Sequence, residues 1–128
     1  MAAFERAAAQ NPDAPEPIFA LVRIDARQGK LAQAQNRLTG LITKNSQHPF
    51  AHGLLGEILI LKGDPARAQE EFRLATSLKP EWSTPWVNWV TLKLSQRKGE
   101  EANEVLQRGL QANPKNEELR LLYASHLG

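Results

Sequence analysis

A period of 34 residues runs through this chain and restricts its fold more than any other feature. Phe4, Leu38, Phe72 and Leu106 fall at that interval, as do Ala34, Ala68 and Ala102, and again Ala7, Leu41, Ala75 and Gly109. The residues that interrupt helices keep the same step, with Pro12, Ser46, Pro80 and Pro114 in register. Independent columns at one spacing define a repeated supersecondary unit that buries its apolar face against copies of itself.

Each unit reads as two helices. Apolar residues recur three and four apart, and strand alternation is absent. In the second unit "PFAHGLLGEILILK" (49–62) opens at Pro49 and stops at Gly63. "PARAQEEFRLATSLK" (65–79) follows, with Asp64 as N-cap, Pro65 in the first turn and Pro80 at the end. A turn of two or three residues forces such helices to lie antiparallel. The same punctuation predicts eight helices, over about 2–10, 15–28, 31–44, 49–62, 65–78, 83–96, 99–112 and 117–127. Ala68, Ala75 and Gly56 predict a close helix contact, with Phe72 filling the space between that pair and the next helix.

A 34-residue helix–turn–helix with these columns resembles the tetratricopeptide repeat. Residues 49–82 carry its pattern at Leu55, Gly56, Leu59, Ala68, Phe72, Ala75 and Pro80, with His52 replacing the first aromatic. Residues 15–48 carry it at Leu21, Ala34 and Leu38, with Val22 for the glycine and Ser46 for the proline. Residues 83–116 carry Trp86, Ala102, Leu106 and Pro114. Their Trp89–Val90 pair replaces Leu–Gly and implies a wider helix pair. Asp25 and Lys93 stand where the family prefers a large ring. The resemblance implies an all-α, right-handed superhelical solenoid of antiparallel helix pairs, with repeats over 15–48, 49–82 and 83–116. Residues 1–14 would be the second helix of a preceding repeat, and 117–128 the first helix of a following one. Phe4, Leu21, Ala34, Leu38, Leu55 and Gly56 then pack the repeats together, with Ala68, Phe72, Ala75, Trp86, Trp89, Ala102 and Leu106. The whole reads as an excerpt of a longer bacterial array.

Chemistry finds little support. Net charge is +2, too small to argue for nucleic acid or an anionic membrane. The longest apolar run, "ILIL" at 58–61, is too short to span a bilayer. The chain has no cysteine, which leaves the compartment open between cytoplasm and bacterial periplasm. His48 and His52 have the spacing of a helical metal pair, but Pro49 pushes His48 out of the helix and a third ligand is missing. Neither a metal nor a cofactor is expected. The doublets Glu70–Glu71, Glu100–Glu101 and Glu117–Glu118 point about 100° apart on a helix and read as solvated faces. Ser125–His126 has no acid partner, a phosphate loop is absent, and Trp82, Trp86 and Trp89 fall where repeat packing needs bulk. The chain is not expected to be an enzyme.

The resemblance implies that the first helix of each pair lines the concave side. Inward positions are then Glu16, Phe19, Arg23 and Arg27; Phe50, Gly53, Glu57 and Leu61; and Thr84, Val87, Asn88, Thr91 and Ser95. Phe19 and Phe50 would anchor a partner, and Arg23 and Arg27 would meet an acidic group on it. The expected function is a scaffold that binds a peptide or partner domain in this groove. The alternative is a structural spacer or self-assembly module in a bacterial secretion, pilus or exopolysaccharide-export protein, associating through exposed terminal helices. Family members that hold chaperone C-terminal tails use a clamp of Lys, Arg and Asn. The matching positions here are Phe19, Arg23, Leu54, Thr84 and Asn88, so that clamp is largely missing.

Overall fold

Proline and glycine set where the helices begin and end. The structure, a computed structural model, describes residues 15–127, with side chains over 18–125. Among these residues lie seven helices and no strand: α1 (Pro15–Arg27), α2 (Leu31–Lys44), α3 (Pro49–Leu61), α4 (Pro65–Leu78), α5 (Thr84–Ser95), α6 (Gly99–Ala112) and α7 (Glu117–Leu127). Their ends fall within about a residue of those the sequence predicts. The helix expected over 2–10, with Phe4 and Ala7, lies outside the described residues, as does the side chain of Glu16.

Three turns share one geometry. Lys30 N–H donates to Asp25 C=O at 2.8 Å, Asp64 N–H to Leu59 C=O at 2.8 Å, and Lys98 N–H to Lys93 C=O at 2.9 Å. Each closes a helix by the six-to-one bond that needs a left-handed residue inside it. That residue is Gly29 (φ 76°), Gly63 (φ 82°) and, in the third turn, Arg97 (φ 60°). Arg97 carries the Cβ penalty that glycine avoids in the other two. Helix starts are equally local: His48 Nδ1 accepts from Ala51 N–H, and an Asp64 carboxylate oxygen from Arg67 N–H, both at 3.3 Å.

Consecutive helices pack as antiparallel hairpins, and each hairpin packs on the next. Successive first helices also touch directly, α3 on α5 and α5 on α7, whereas α2, α4 and α6 make no comparable approach to one another. First helices therefore sit on the inner side of the curve and second helices on the outer side.

The core depends on side chains too small to hold the helices apart. Ala34, Leu38, Ala68, Phe72, Ala75 and Leu119 are fully buried, and Leu59, Val90 and Leu106 nearly so. A Cβ built on Gly56 would lie 2.5 Å from Phe72 Cε1. The ring that the sequence assigned to the space between hairpins thus lies against the partner helix of its own hairpin. In the third hairpin the small residue is on the other helix: a Cβ on Gly109 would lie 3.1 Å from Trp86 Cβ. The pair expected to be wide is close at that point.

The two charged departures from the repeat pattern are buried and paired. Asp25 and Lys93 fall in the column whose middle member is Leu59, and all three are at most 5% exposed. Arg37 Nε donates to Asp25 Oδ2 at 2.8 Å, and Lys93 Nζ to Glu101 Oε1 at 3.1 Å. A buried charge without such a partner would destabilise the hairpin strongly.

These contacts predict three shifts in urea unfolding. Gly56→Ala forces Phe72 to move and costs about 1–3 kcal/mol. Gly40→Ala, in α2 with open space around it, stabilises by roughly 0.5–1 kcal/mol. Arg97→Gly relieves the left-handed turn and stabilises by about 1 kcal/mol.

Candidate partner-binding groove

Side chains of the first helices leave two hollows on the inner side. One, of 240 Å³ between α1 and α3, is lined by Val22, Arg23, Ala26, Arg27, Leu54, Glu57, Ile58 and Leu61. The other, of 430 Å³ between α3 and α5, is lined by Glu57, Ile60, Leu61, Asn88, Thr91, Leu92 and Ser95. Glu57 and Leu61 belong to both, so the hollows form one trough with a ridge. Leu61 is 61% exposed and Ile60 39%, so apolar surface lines the trough where the two hollows meet.

The trough's charge is uneven. Asn88 Nδ2 donates to Glu57 Oε1 at 3.3 Å. Burial pushes the Glu57 carboxyl above its ordinary value, while the Asn88 hydrogen bond and the field of Arg23 act the other way. Arg23 and Arg27 are exposed one turn apart on α1, and neither forms an ion pair among the described residues. The rim on α5 is uncharged: Asn88, Thr91 and Ser95.

Of the residues the sequence placed in the groove, the structure brings together Arg23, Arg27, Glu57, Leu61, Asn88, Thr91 and Ser95. Others lie elsewhere. Gly53 is buried, because the Trp82 indole lies where its Cβ would be, 2.6 Å from Trp82 Cη2. Val87 packs against the core, and Thr84 is exposed but outside both hollows. Phe19 and Phe50 join His48 and Trp82 in an aromatic row across repeats, with ring centroids 6.4 Å apart for Phe19–Phe50 and 4.6 Å for Phe50–Trp82. Lys79 Nζ sits 5.6 Å above the Phe50 ring. These rings tie neighbouring hairpins together, and Phe50 keeps 37% of its surface open. Leu54, Ile58, Ile60 and Leu92 were missing from the expected lining. Each lies three or four residues from an inward position on its helix, which is the signal that locates them.

Two of the tryptophans are core residues. Trp86 and Trp89 are about 5% exposed or less and stack at 6.0 Å, with the Arg108 guanidinium 5.7 and 5.6 Å from the two rings. Trp86 Nε1 and Asn113 Nδ2 both donate to Pro80 C=O, at 2.9 and 2.8 Å, which ties the end of α4 to α5 and α6.

His52 is buried at the hairpin contact with both ring nitrogens engaged. Nδ1 lies 2.5 Å from Glu71 Oε2 and Nε2 lies 2.7 Å from Ser46 C=O. Glu71, expected on a solvated face, is turned inward to meet it. Among the described residues, no group of three or more His, Asp or Glu side chains converges to hold a metal ion, and no helix is long and apolar enough to cross a membrane. The Glu71 hydrogen bond raises the His52 pKa above its ordinary 6.5, with burial opposing it. The native state therefore holds this proton more tightly than the unfolded chain. The stabilisation is fully present below about pH 6.5 and is lost as pH rises through the raised value. His48 is shifted downward, chiefly by burial, and acts in the opposite sense. Comparing wild type with Glu71→Gln isolates the pair. The stability gap should be roughly 1–3 kcal/mol near pH 6 and shrink towards pH 9; a gap that did not change with pH would exclude a charged His52.

An all-α solenoid of antiparallel hairpins with a trough along its first helices defines a helical-repeat protein. A tetratricopeptide repeat family model matches residues 19–81, and the helical hairpins have that family's solenoid fold. Solved structures share the fold. The first such domain of Spaghetti (RPAP3), solved with the HSP90 peptide SRMEEVD, has a TM-score of 0.71 at 18% identity, over 84% of this chain and 86% of that one. A thermophilic repeat protein of Thermus thermophilus has 0.75 at 21%, over 95% and 70%. YrrB, described as having an unusual peptide-binding site, has 0.74 at 19%, over 92% and 61%. Among curated protein sequences, none matches the chain.

Proposed function

We propose that this chain is a protein-interaction scaffold that holds a peptide segment of a partner in the trough of α1, α3 and α5. One observation carries the reading: two apolar hollows meet at the exposed Leu61, bounded by polar groups that can fix a backbone or a charge. The fold's solved relatives that hold peptides support it in general terms. Leu61 takes over as principal anchor from Phe19 and Phe50, whose rings already contact neighbours. No catalytic step is proposed.

Selection of binders from a random peptide library tests this directly. Selected peptides should lose more than about tenfold in affinity against Leu61→Asp, with melting unchanged, since Leu61 is a surface residue. Peptides that bind both proteins equally would place the site elsewhere. The HSP90 peptide SRMEEVD should show no micromolar binding by calorimetry. Of the five matching positions, Leu54 is buried and Asn88 already donates to Glu57. Micromolar binding abolished by Arg23→Ala would contradict this.

A second reading, end-to-end association within a larger assembly, rests on α7, where Leu121 and Tyr123 are 65% and 43% exposed. It requires a mass by light scattering that rises with concentration and returns to that of the monomer in Leu121→Asp.

A further inference from the structure

The two hollows differ in a way that specifies what would occupy them. The α1–α3 hollow, at 240 Å³, is smaller than the roughly 300 Å³ at which small-molecule sites begin, and it has room for an aliphatic side chain of a bound segment. Its floor is Val22, Ala26, Leu54 and Ile58. Its outer rim carries Arg23 and Arg27, and the α3–α5 hollow beyond Leu61 has no cation.

Three charges bear on the occupant. Glu57 already accepts from Asn88 and lies in the field of Arg23. Arg27 has no ion-pair partner among the described residues. A basic ligand group would compete with Asn88 and the field of Arg23 for Glu57 and would be repelled by two guanidinium groups. An acidic one meets two exposed donors that match a carboxylate's geometry.

We propose that the trough recognises an extended, internal partner segment of the pattern acidic–x–aliphatic–x–aliphatic, running from α1 towards α5. In an extended chain, alternate side chains share a face about 7 Å apart. Two aliphatic groups then straddle Leu61, one in each hollow, and the acidic side chain falls at Arg23 and Arg27. Asn88, Thr91 and Ser95 supply polar groups beside the far end of the segment. This rests on the trough being the binding site and adds the sign and order of the ligand's groups.

The test uses the full chain and two fluorescein-labelled synthetic peptides with the cores Asp-Gly-Leu-Gly-Leu and Lys-Gly-Leu-Gly-Leu in identical Ser/Gly flanks, titrated by anisotropy. The Asp peptide should bind about tenfold tighter than the Lys peptide at about 0.05 M salt, and the preference should weaken at about 0.5 M. Arg27→Glu should abolish or reverse the preference, and Leu61→Asp should weaken both peptides. Equal binding of the two peptides, still sensitive to Leu61→Asp, overturns the acidic requirement and leaves the trough as the site. A preference that survives Arg27→Glu and Arg23→Ala overturns the assignment of the charge. Failure of both peptides overturns the pattern, while the random-library selection decides separately whether the trough binds at all.

Discussion

The fold depends on a phenylalanine ring lying flush against a glycine. Phe72 can occupy the contact between α3 and α4 because Gly56 has no Cβ to meet it. Dispersion and apolar burial both fall steeply with separation, so this close approach sets how tightly the hairpin closes. The Gly109–Trp86 contact does the same for the third hairpin with the roles of the two helices exchanged. Once the hairpins are closed, Phe50, Trp82 and the row of rings beside them fix how one hairpin sits on the next.

Charge is used sparingly in this core, and each buried case is matched within a hairpin. Asp25 with Arg37, Lys93 with Glu101 and His52 with Glu71 all join a first helix to its own second helix. None of these pairs joins different hairpins. A pair of this kind specifies register more than it stabilises, because desolvation offsets most of the attraction. Contacts between hairpins rest mainly on apolar and aromatic groups, with single hydrogen bonds such as Asn88 to Glu57 and Trp86 to Pro80 C=O between them.

Much of the fold was legible because its determinants are local and periodic. Pro49, Pro65 and Gly63 fix helix ends within a few residues of themselves, and the 34-residue columns identify which residues face inward. The turn column Gly29–Gly63–Arg97 also marks the strained position, since an arginine stands where two glycines recur. The candidate trough was legible only in part. Helical spacing found Glu57 and Leu61 but misjudged Gly53, whose cover comes from Trp82, outside its own helix. Glu71 was misread for the same reason: its partner lies 19 residues away, and only hairpin closure turns it inward.

The chain's contacts run almost entirely between neighbours, and that arrangement orders how the molecule opens. The hairpin of α3 and α4 is enclosed by α2 on one side and α5 on the other, so exposing it breaks two interfaces. Among the described residues, helix α7 packs on α6 and α5 alone and breaks away at the cost of one. Amide protons should therefore exchange with solvent slowest in α3, only through opening of the hairpins on both sides of it. The trough's ridge at Leu61 is built on that slowest helix. Whatever seats itself there meets a surface held rigid from both sides.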